Sequence, residues 1–211
     1  MSALKPIFRE VRQAGVKAAG DMKDRLRGVA DNLNTHVTTV GRRVVDEDRF
    51  DDVVTRRGGN SKTTHFDPST GRPVRESGII REDFGSSTRG DNATAIGHLG
   101  LSGDDGGHIG AHRFFGDTPD EGIVPQAANL NRGAWKRMEN EWANWTAKGY
   151  EVSYDIDVYP PGAVRPDSFE VTYTVTDPST GTVAYRNWPS FWNESGEAFD
   201  AIHPRDMPDL P

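Results

Sequence analysis

Residues 151–159, EVSYDIDVY, alternate strictly between apolar and polar side chains. Successive side chains of a strand point to opposite faces of a sheet, so one face of this strand would be apolar: Val152, Tyr154, Ile156 and Val158. Residues 168–176, SFEVTYTVT, repeat the pattern, and residues 181–188, GTVAYRNW, follow after a short turn. Three such segments in succession predict an antiparallel meander with one buried face.

One strong helix is predicted before these strands, over about residues 132–148. Large apolar side chains recur at helical spacing along it: Trp135, Met138, Trp142 and Trp145. This stripe predicts a helix packed against the sheet, and Gly149 is a suitable end for it. Together, the hairpins, a glycine-rich loop, this helix and the meander predict an α+β fold.

The first part of the chain has a different character. Residues 5–34 carry an apolar stripe at helical spacing, and residues 1–45 contain nine Lys/Arg against four Asp/Glu. Basic amphipathic helices bind membrane surfaces or partner proteins, while a simple packing arm or linker is the plainer interpretation. Residues 41–61 are charged and read as irregular. We therefore predict a helical arm or linker over 1–45, with a role in export as one hypothesis, and a main domain over 46–211.

A repeated turn motif and the amino-acid composition indicate further hairpins and exclude several kinds of site. The sequence DPSTG occurs at 67–71 and again at 177–181, and Asp-Pro followed by a closing glycine is typical of hairpin turns. The chain has no cysteine, which excludes disulfides, thiolate metal sites and a cysteine nucleophile. No apolar run is long enough to span a bilayer, and the charged start predicts no signal peptide.

Residues 104–116, DDGGHIGAHRFFG, contain two aspartates, two histidines and an arginine among four glycines. His108 follows two glycines, which permit a close approach to a ligand, and the IGAHRF after it is compatible with a strand. A histidine held there could take a proton from water near neutral pH, although a lone histidine is more often structural. A zinc site of His98, His108 and His112 is a weaker alternative, because on a strand the last two lie too far apart for one ion.

Two residues of the predicted helix could serve a metal ion. Asn131 stands at the helix start, where it could be a simple cap or an oxygen ligand for a hard cation such as Mg²⁺. Glu139 is eight residues later and would lie on a nearby side of the helix, leaning back towards Asn131. Judged alone, Glu139 would be an ordinary solvated charge.

Taken together, these segments resemble a known family. DDGGHIGA (104–111), IVPQ (123–126), NLNRGAW (129–135) and ME (138–139) resemble the DNA/RNA non-specific endonucleases, whose core is the ββα-metal, or His-Me, finger. RPDSFEVTY at 165–173 resembles the later strand pair of that family. The resemblance implies a ββα-metal core on an antiparallel sheet, with His108 as general base and Asn131 as the direct ligand of Mg²⁺. It further implies that Glu139 orients the metal-bound waters, and that Mn²⁺ is an alternative ion.

The sequence departs from the family pattern at two positions. One branch of the family has Asp-Arg-Gly-His where this chain has Gly106 before Gly107 and His108, so the cation for the phosphate must come from elsewhere. Arg89 is the first candidate for that catalytic role, and Arg113 and Arg132 are candidates for substrate binding. We expect these three to cluster at the cleft with Lys136 and Arg137, although the residues after 45 carry sixteen Lys/Arg against twenty-eight Asp/Glu. Gly122 stands where the family often has asparagine, which would remove a supporting hydrogen bond.

The resemblance favours one function over another. The Asp-Gly-Gly-His branch resembles toxin domains of bacterial competition systems, which implies a Mg²⁺-dependent endonuclease acting on DNA and also on RNA. It further implies an immunity protein as inhibitor, a dedicated secretion system contacted through residues 1–45, and action in the cytoplasm of a target cell. The alternative is a catalytically degenerate module on the same fold that binds a protein partner.

Overall fold

The computed structural model describes residues 50–85 and 88–210. The helical arm predicted over residues 1–45 lies outside the described residues, so it stays a prediction. The described part is α+β, as expected, with two antiparallel sheets. Their strands are β1 (Asp51–Arg57), β2 (Asn60–Asp67), β3 (Arg72–Ile80), β4 (Asp104–His108), β5 (Ile123–Ala127), β6 (Glu151–Tyr159), β7 (Ser168–Thr176), β8 (Val183–Asn187) and β9 (Ser190–Trp192).

The larger sheet has the strand order β1-β2-β3-β6-β7-β8, with β9 also paired to β7. The predicted meander is confirmed, because β6, β7 and β8 follow one another as antiparallel neighbours. Both DPSTG segments connect hairpins, β2 to β3 and β7 to β8. In each turn the aspartate side chain, Asp67 or Asp177, accepts a hydrogen bond from the backbone N–H two residues later.

One part of the sheet was not expected. Residues 41–61 read as irregular, yet Asp51–Arg57 forms β1 and the following Gly58 turns the chain into β2. This prediction was wrong for a physical reason. Strand β1 is the edge of the sheet and its side chains are mostly exposed, so it lacks the alternation of apolar residues by which a half-buried strand is detected.

The predicted helix is present and packs on the larger sheet. It begins with a π-helical turn, Leu130–Trp135, and continues as an α-helix, Lys136–Ala147. The tryptophan stripe is buried, as expected, and the Trp142 ring stacks on Tyr154 of β6 with 5.1 Å between centroids. Aromatic side chains of the helix and of the sheet are buried against each other, which fixes the position of the helix on the sheet. The polar face of the helix is thereby fixed as well.

The glycine-rich stretch forms a second, two-stranded sheet in which β4 pairs with β5. Two short helices, α1 (Ala93–Gly97) and α2 (His112–Phe115), lie before and after β4, so the long helix Lys136–Ala147 is α3. The sequence IGAHRF does not extend β4 as expected, because the chain turns into α2 at its second half. Strands β4 and β5 followed by the π-helical turn and α3 form the ββα arrangement that the family resemblance implied. Over residues 50–85 and 88–210, no helix combines the length and apolarity that a membrane span requires.

Candidate active site

A pocket of about 130 Å³ lies where the end of β4, α2 and the start of α3 meet. Every residue to which the family resemblance gave a catalytic, metal or substrate role lines it. The full lining is Arg89, His108, His112, Arg113, Asn131, Arg132, Lys136 and Glu139. All eight lining side chains are polar, and four of them are cationic against one carboxylate, which suits an anionic ligand.

His108 is held at the last position of β4 by a buried carboxylate. Its Nε2 lies 2.7 Å from Oδ2 of Asp91, and the two side chains are 3% and 4% exposed. A carboxylate can only accept, so Nε2 carries the proton and donates it. The other ring nitrogen, Nδ1, then has a free lone pair, which is the state that a general base requires.

Electrostatics keep this imidazole neutral. Burial lowers the pKa of His108 to about 4, and the positive charges of Arg89 and Lys62 act in the same direction. The hydrogen bond to Asp91 raises the pKa of His108 but does not outweigh burial. Burial opposes ionisation of Asp91 as well, yet the hydrogen bonds from His108 and from two backbone N–H groups bring its pKa below the usual value.

Asn131 lies in the π-helical turn, and its side chain is fixed in orientation. Its Nδ2 donates to Oδ2 of Asp105 over 3.0 Å, which directs the amide nitrogen to Asp105 and leaves the amide oxygen for another partner. Arg132 donates two hydrogen bonds to the same carboxylate, from Nε to Oδ2 over 2.7 Å and from Nη2 to Oδ1 over 2.5 Å. These hydrogen bonds, that of Arg132 first, lower the pKa of Asp105, so it is ionised and stable as an acceptor.

Glu139 is a half-buried carboxylate on the pocket side of α3. Removal from water raises its pKa to about 7, although the positive charges of Arg113, Arg89 and Lys136 act against this. The nearby positive charges therefore do not fully offset the effect of burial on the pKa of Glu139. A carboxylate whose pKa is raised by burial is stabilised in its ionised form by a further cation, such as a metal ion, bound next to it.

The basic residues around the pocket fall into two groups. Arg113 is held by Asp83, with two bonds of 2.9 and 2.5 Å, and also donates to Asn140 over 2.6 Å. Arg132 is held by Asp105, as described above. Among the described residues no carboxylate forms such an ion pair with Arg89, which is exposed. Lys136 joins the lining as expected, whereas Arg137 is exposed and does not.

The second histidine of the motif has its own carboxylate. His112 lies in α2 with its ring centroid 5.4 Å from that of His108, and its Nε2 is 3.1 Å from Oδ1 of Asp117. In the described part of the chain, the ligating atoms of Asp91, His112 and Asp117 come within 4.8 Å of one another. That group does not include His98, which is exposed, so the structure does not assemble the alternative zinc site.

Both departures from the family pattern have steric causes in this fold. A Cβ atom at Gly106 would overlap the backbone of Ala93 in α1, so no side chain fits where one branch of the family has arginine. A Cβ atom at Gly122 would overlap the methyl group of Thr118 and lie 3.3 Å from Nζ of Lys62. The space for an asparagine side chain at 122 is thus already filled.

Two carboxylates that organise the pocket were missed from the sequence as site residues. Asp91 reaches His108 from 17 positions away and Asp105 reaches Asn131 from 26 positions away. Neither separation in sequence corresponds to a helical or strand period, so no periodicity indicated these contacts. Two signals were usable: Asp105 stands in the motif DDGGHIGA, and Asp91 lies two residues after the predicted functional Arg89 in SSTRGDNATAIG.

This chain is similar to known proteins over part of its length. The family model of the DNA/RNA non-specific endonuclease matches residues 77–177. The type VII secretion system protein EssD of Staphylococcus aureus, in strains USA300 and NCTC 8325, is 34% identical over 89 residues, which are 39% of this chain and 14% of that protein. The chain therefore spans only a small part of the length of these relatives.

Two solved structures are similar to part of this chain. NucA from Streptococcus agalactiae with no metal bound has a TM-score of 0.49 at 14% identity, covering 67% of this chain and 74% of that one. NucA with a magnesium ion bound has a TM-score of 0.47 at 13% identity, covering 72% and 76%. By the match of the family model, residues 77–177 of this chain are similar to the DNA/RNA non-specific endonuclease family.

Proposed function

We propose that this chain is a divalent-metal-dependent endonuclease that hydrolyses phosphodiester bonds of DNA, and also of RNA, without sequence preference. The observation that carries this proposal is the neutral, carboxylate-anchored His108 in one pocket with Asn131, Glu139 and several cationic side chains. A base, a cation site and an anion-binding wall are the parts that hydrolysis of a phosphodiester needs.

In the proposed reaction, His108 is the general base. Its unprotonated Nδ1 accepts a proton from water as the water oxygen attacks phosphorus, and Asp91 stabilises the imidazolium that forms. The substrate would assist this step, because a phosphate anion in the pocket offsets the charge of Arg89 and raises the pKa of His108 above its low value. As the new bond to phosphorus forms, the bond between phosphorus and the 3′ oxygen breaks. The released 3′ oxygen takes a proton from solvent water, and His108 returns its proton to solvent.

The residues present fit a hard divalent cation. The amide oxygen of Asn131 is left for a ligand because its nitrogen is bound to Asp105, and the Glu139 carboxylate is short of positive charge. Oxygen ligands of this kind suit Mg²⁺, with Mn²⁺ as an alternative. Asn131 would be the direct protein ligand and Glu139 would orient the bound waters. When bound, the ion would neutralise charge on a phosphate oxygen and on the leaving 3′ oxygen.

The proposed recognition is of the phosphate backbone. Arg89 would contact the scissile phosphate as a catalytic cation, since it is exposed at the pocket and unpaired among the described residues. Arg113 and Arg132 would bind flanking phosphates, and their ion pairs with Asp83 and Asp105 hold their guanidinium groups in place. Phosphates carry no sequence information, so cleavage would be non-specific.

The biological role we propose is that of an antibacterial toxin delivered by a dedicated secretion system. It is supported by the family match and by the likeness to EssD, which is described as a type VII secretion system protein. An immunity protein would inhibit it in the producing cell, residues 1–45 would contact the export machinery, and cleavage would take place in the cytoplasm of the target cell.

The proposal is tested with purified protein, supercoiled plasmid and RNA, in Mg²⁺ or in EDTA. We expect Mg²⁺-dependent degradation that His108→Ala abolishes and that His98→Ala, at an exposed histidine outside the pocket, leaves unchanged. Absence of cleavage by the folded wild-type protein, free of inhibitor, would contradict the proposal. That result would favour the alternative of a catalytically degenerate module that binds a protein partner.

A further inference from the structure

A fully buried ion pair lies inside the domain, outside the proposed machinery. Nζ of Lys62 on β2 is 3.0 Å from Oε2 of Glu76 on β3, and both side chains are 0% exposed. Glu76 also accepts hydrogen bonds from Thr64, over 2.7 Å, and from the hydroxyl of Tyr154, over 2.9 Å. The Lys62 ammonium lies 5.2 Å from the centroid of the Phe115 ring.

Stability alone is a poor explanation for this pair. Taking two charges out of water costs several kcal/mol per ion, and well-packed apolar residues in place of a buried pair are often neutral or stabilising. The hydrogen bonds from Thr64 and Tyr154 offset part of this cost. The location of the pair relative to His108 offers another explanation.

The pair lies against two glycines near His108: Gly110, two residues after it, and Gly122, which precedes the paired strand β5. A Cβ atom at Gly110, two residues after His108, would overlap Oε1 of Glu76 and the Tyr154 hydroxyl. A Cβ atom at Gly122 would lie 3.3 Å from Nζ of Lys62 and 3.6 Å from Oε2 of Glu76. The carbonyl of Gly122 accepts the N–H of Ile109 over 3.0 Å, directly beyond the pairing of His108 with Ile123.

We propose that Lys62 and Glu76 are positioning residues that hold the backbone around His108 and take the place of the asparagine side chain that the family often has at position 122. This inference rests on the proposed function, because it concerns the base of that reaction. Neither side chain reaches solvent, so neither can contact the substrate directly. Both would act on His108 through the backbone of Gly110 and Gly122, against which they pack, and through their charge.

The charge of Lys62 adds a second effect on the same histidine. Among the described residues, the charged or titratable groups that act on or contact His108 include Arg89 and Asp91 from the loop before α1, Lys62 from β2 and His112 from α2, and Glu139 of α3 lines the same pocket. Lys62 and Arg89 disfavour the imidazolium form and lower the pKa of His108, while Asp91 favours it. Lys62 thus helps to keep the base free of a proton in a place that the solvent does not reach.

The test is the double variant Lys62→Met/Glu76→Gln, which removes both charges and keeps an acceptor for Tyr154. We expect kcat to fall by roughly tenfold to a hundredfold with KM within about twofold, the effect of a displaced base. In nuclear magnetic resonance titrations the His108 ring should protonate about half a pKa unit higher than in the wild type. Thr64→Val is the matched control, because it removes one hydrogen bond to Glu76 and no charge.

The outcomes separate this inference from the proposed function. A folded double variant with wild-type kcat and a wild-type His108 titration would overturn it, and so would an equal loss of kcat in Thr64→Val. If the wild-type protein cleaves no nucleic acid, the titration still decides between presence and absence of the effect of Lys62. If the double variant does not fold, Lys62→Gln/Glu76→Gln carries the same test while keeping a hydrogen bond between the two side chains.

Discussion

The exchange Asp91→Asn tests the role of the His108–Asp91 pair most sharply. In the wild type Asp91 accepts the proton of Nε2 over 2.7 Å, so Nδ1 is unprotonated. An asparagine can turn its amide nitrogen towards Nε2, which would then have to accept, and the ring proton would move to Nδ1. The pocket nitrogen would then be a donor, unable to take a proton from water.

The size of the effect follows from burial. Both side chains are at most 4% exposed, so their hydrogen bond is made away from water. A hydrogen bond to a charged group contributes about 1.5–3 kcal/mol, which corresponds to roughly ten- to 150-fold in the population of the productive tautomer. Loss of the negative charge beside the developing imidazolium adds to this. We expect kcat to fall by about a hundredfold while KM changes by less than about threefold.

The assay is single-turnover cleavage of a labelled oligonucleotide in saturating Mg²⁺. Asp117→Asn is the matched control, because it makes the same exchange beside His112 instead of His108. We expect Asp117→Asn to retain most of the wild-type rate, and Asp91→Asn to cost nothing further in a His108→Ala background. Equal losses in the two asparagine variants, or a wild-type rate in Asp91→Asn, would refute the assignment of Asp91 as the anchor of the base.

Three further expectations concern charge. Burial raises the pKa of Glu139 to about 7, so Mg²⁺ affinity measured by calorimetry should increase as pH rises through 7, and Glu139→Gln should remove this dependence. Cleavage should weaken steeply with added salt, and Arg89→Ala should reduce the salt slope of substrate binding by about 1; an unchanged slope would exclude Arg89 from phosphate contact. Burial lowers the pKa of His108 from 6.5 to about 4. Between these pH values the imidazole is protonated in the unfolded chain and unprotonated in the folded chain. Stability in urea should therefore fall between about pH 6.5 and 4, by up to about 3 kcal/mol, and His108→Asn should lack this contribution.

The elements with a buried apolar face could be predicted from the sequence. The alternation along 151–159 and 168–176 corresponds to β6 and β7, and the tryptophan stripe corresponds to the buried side of α3. In these segments one face is buried against a single partner, so local periodicity and tertiary packing agree. Strand β1 escaped prediction because an edge strand with exposed charges has no such face.

The candidate site could be predicted only in part, for a similar reason. The residues proposed to have a chemical role, among them His108, Asn131 and Glu139, stand in short motifs and do line one pocket. The residues that orient them, Asp91 and Asp105, are brought in by the packing of α1 on β4 and of the π-helical turn beside β4. Contacts that depend on tertiary packing leave no period in the sequence.

The central claim is that His108 supplies the base in a metal-dependent nuclease. Its most direct test is the rate of plasmid cleavage by His108→Gly at increasing imidazole concentration, with Mg²⁺ and with EDTA. We expect the variant to be inactive alone and to regain Mg²⁺-dependent cleavage in proportion to the unprotonated imidazole added. Full activity of His108→Gly without imidazole, or wild-type cleavage that persists in EDTA, would contradict the account.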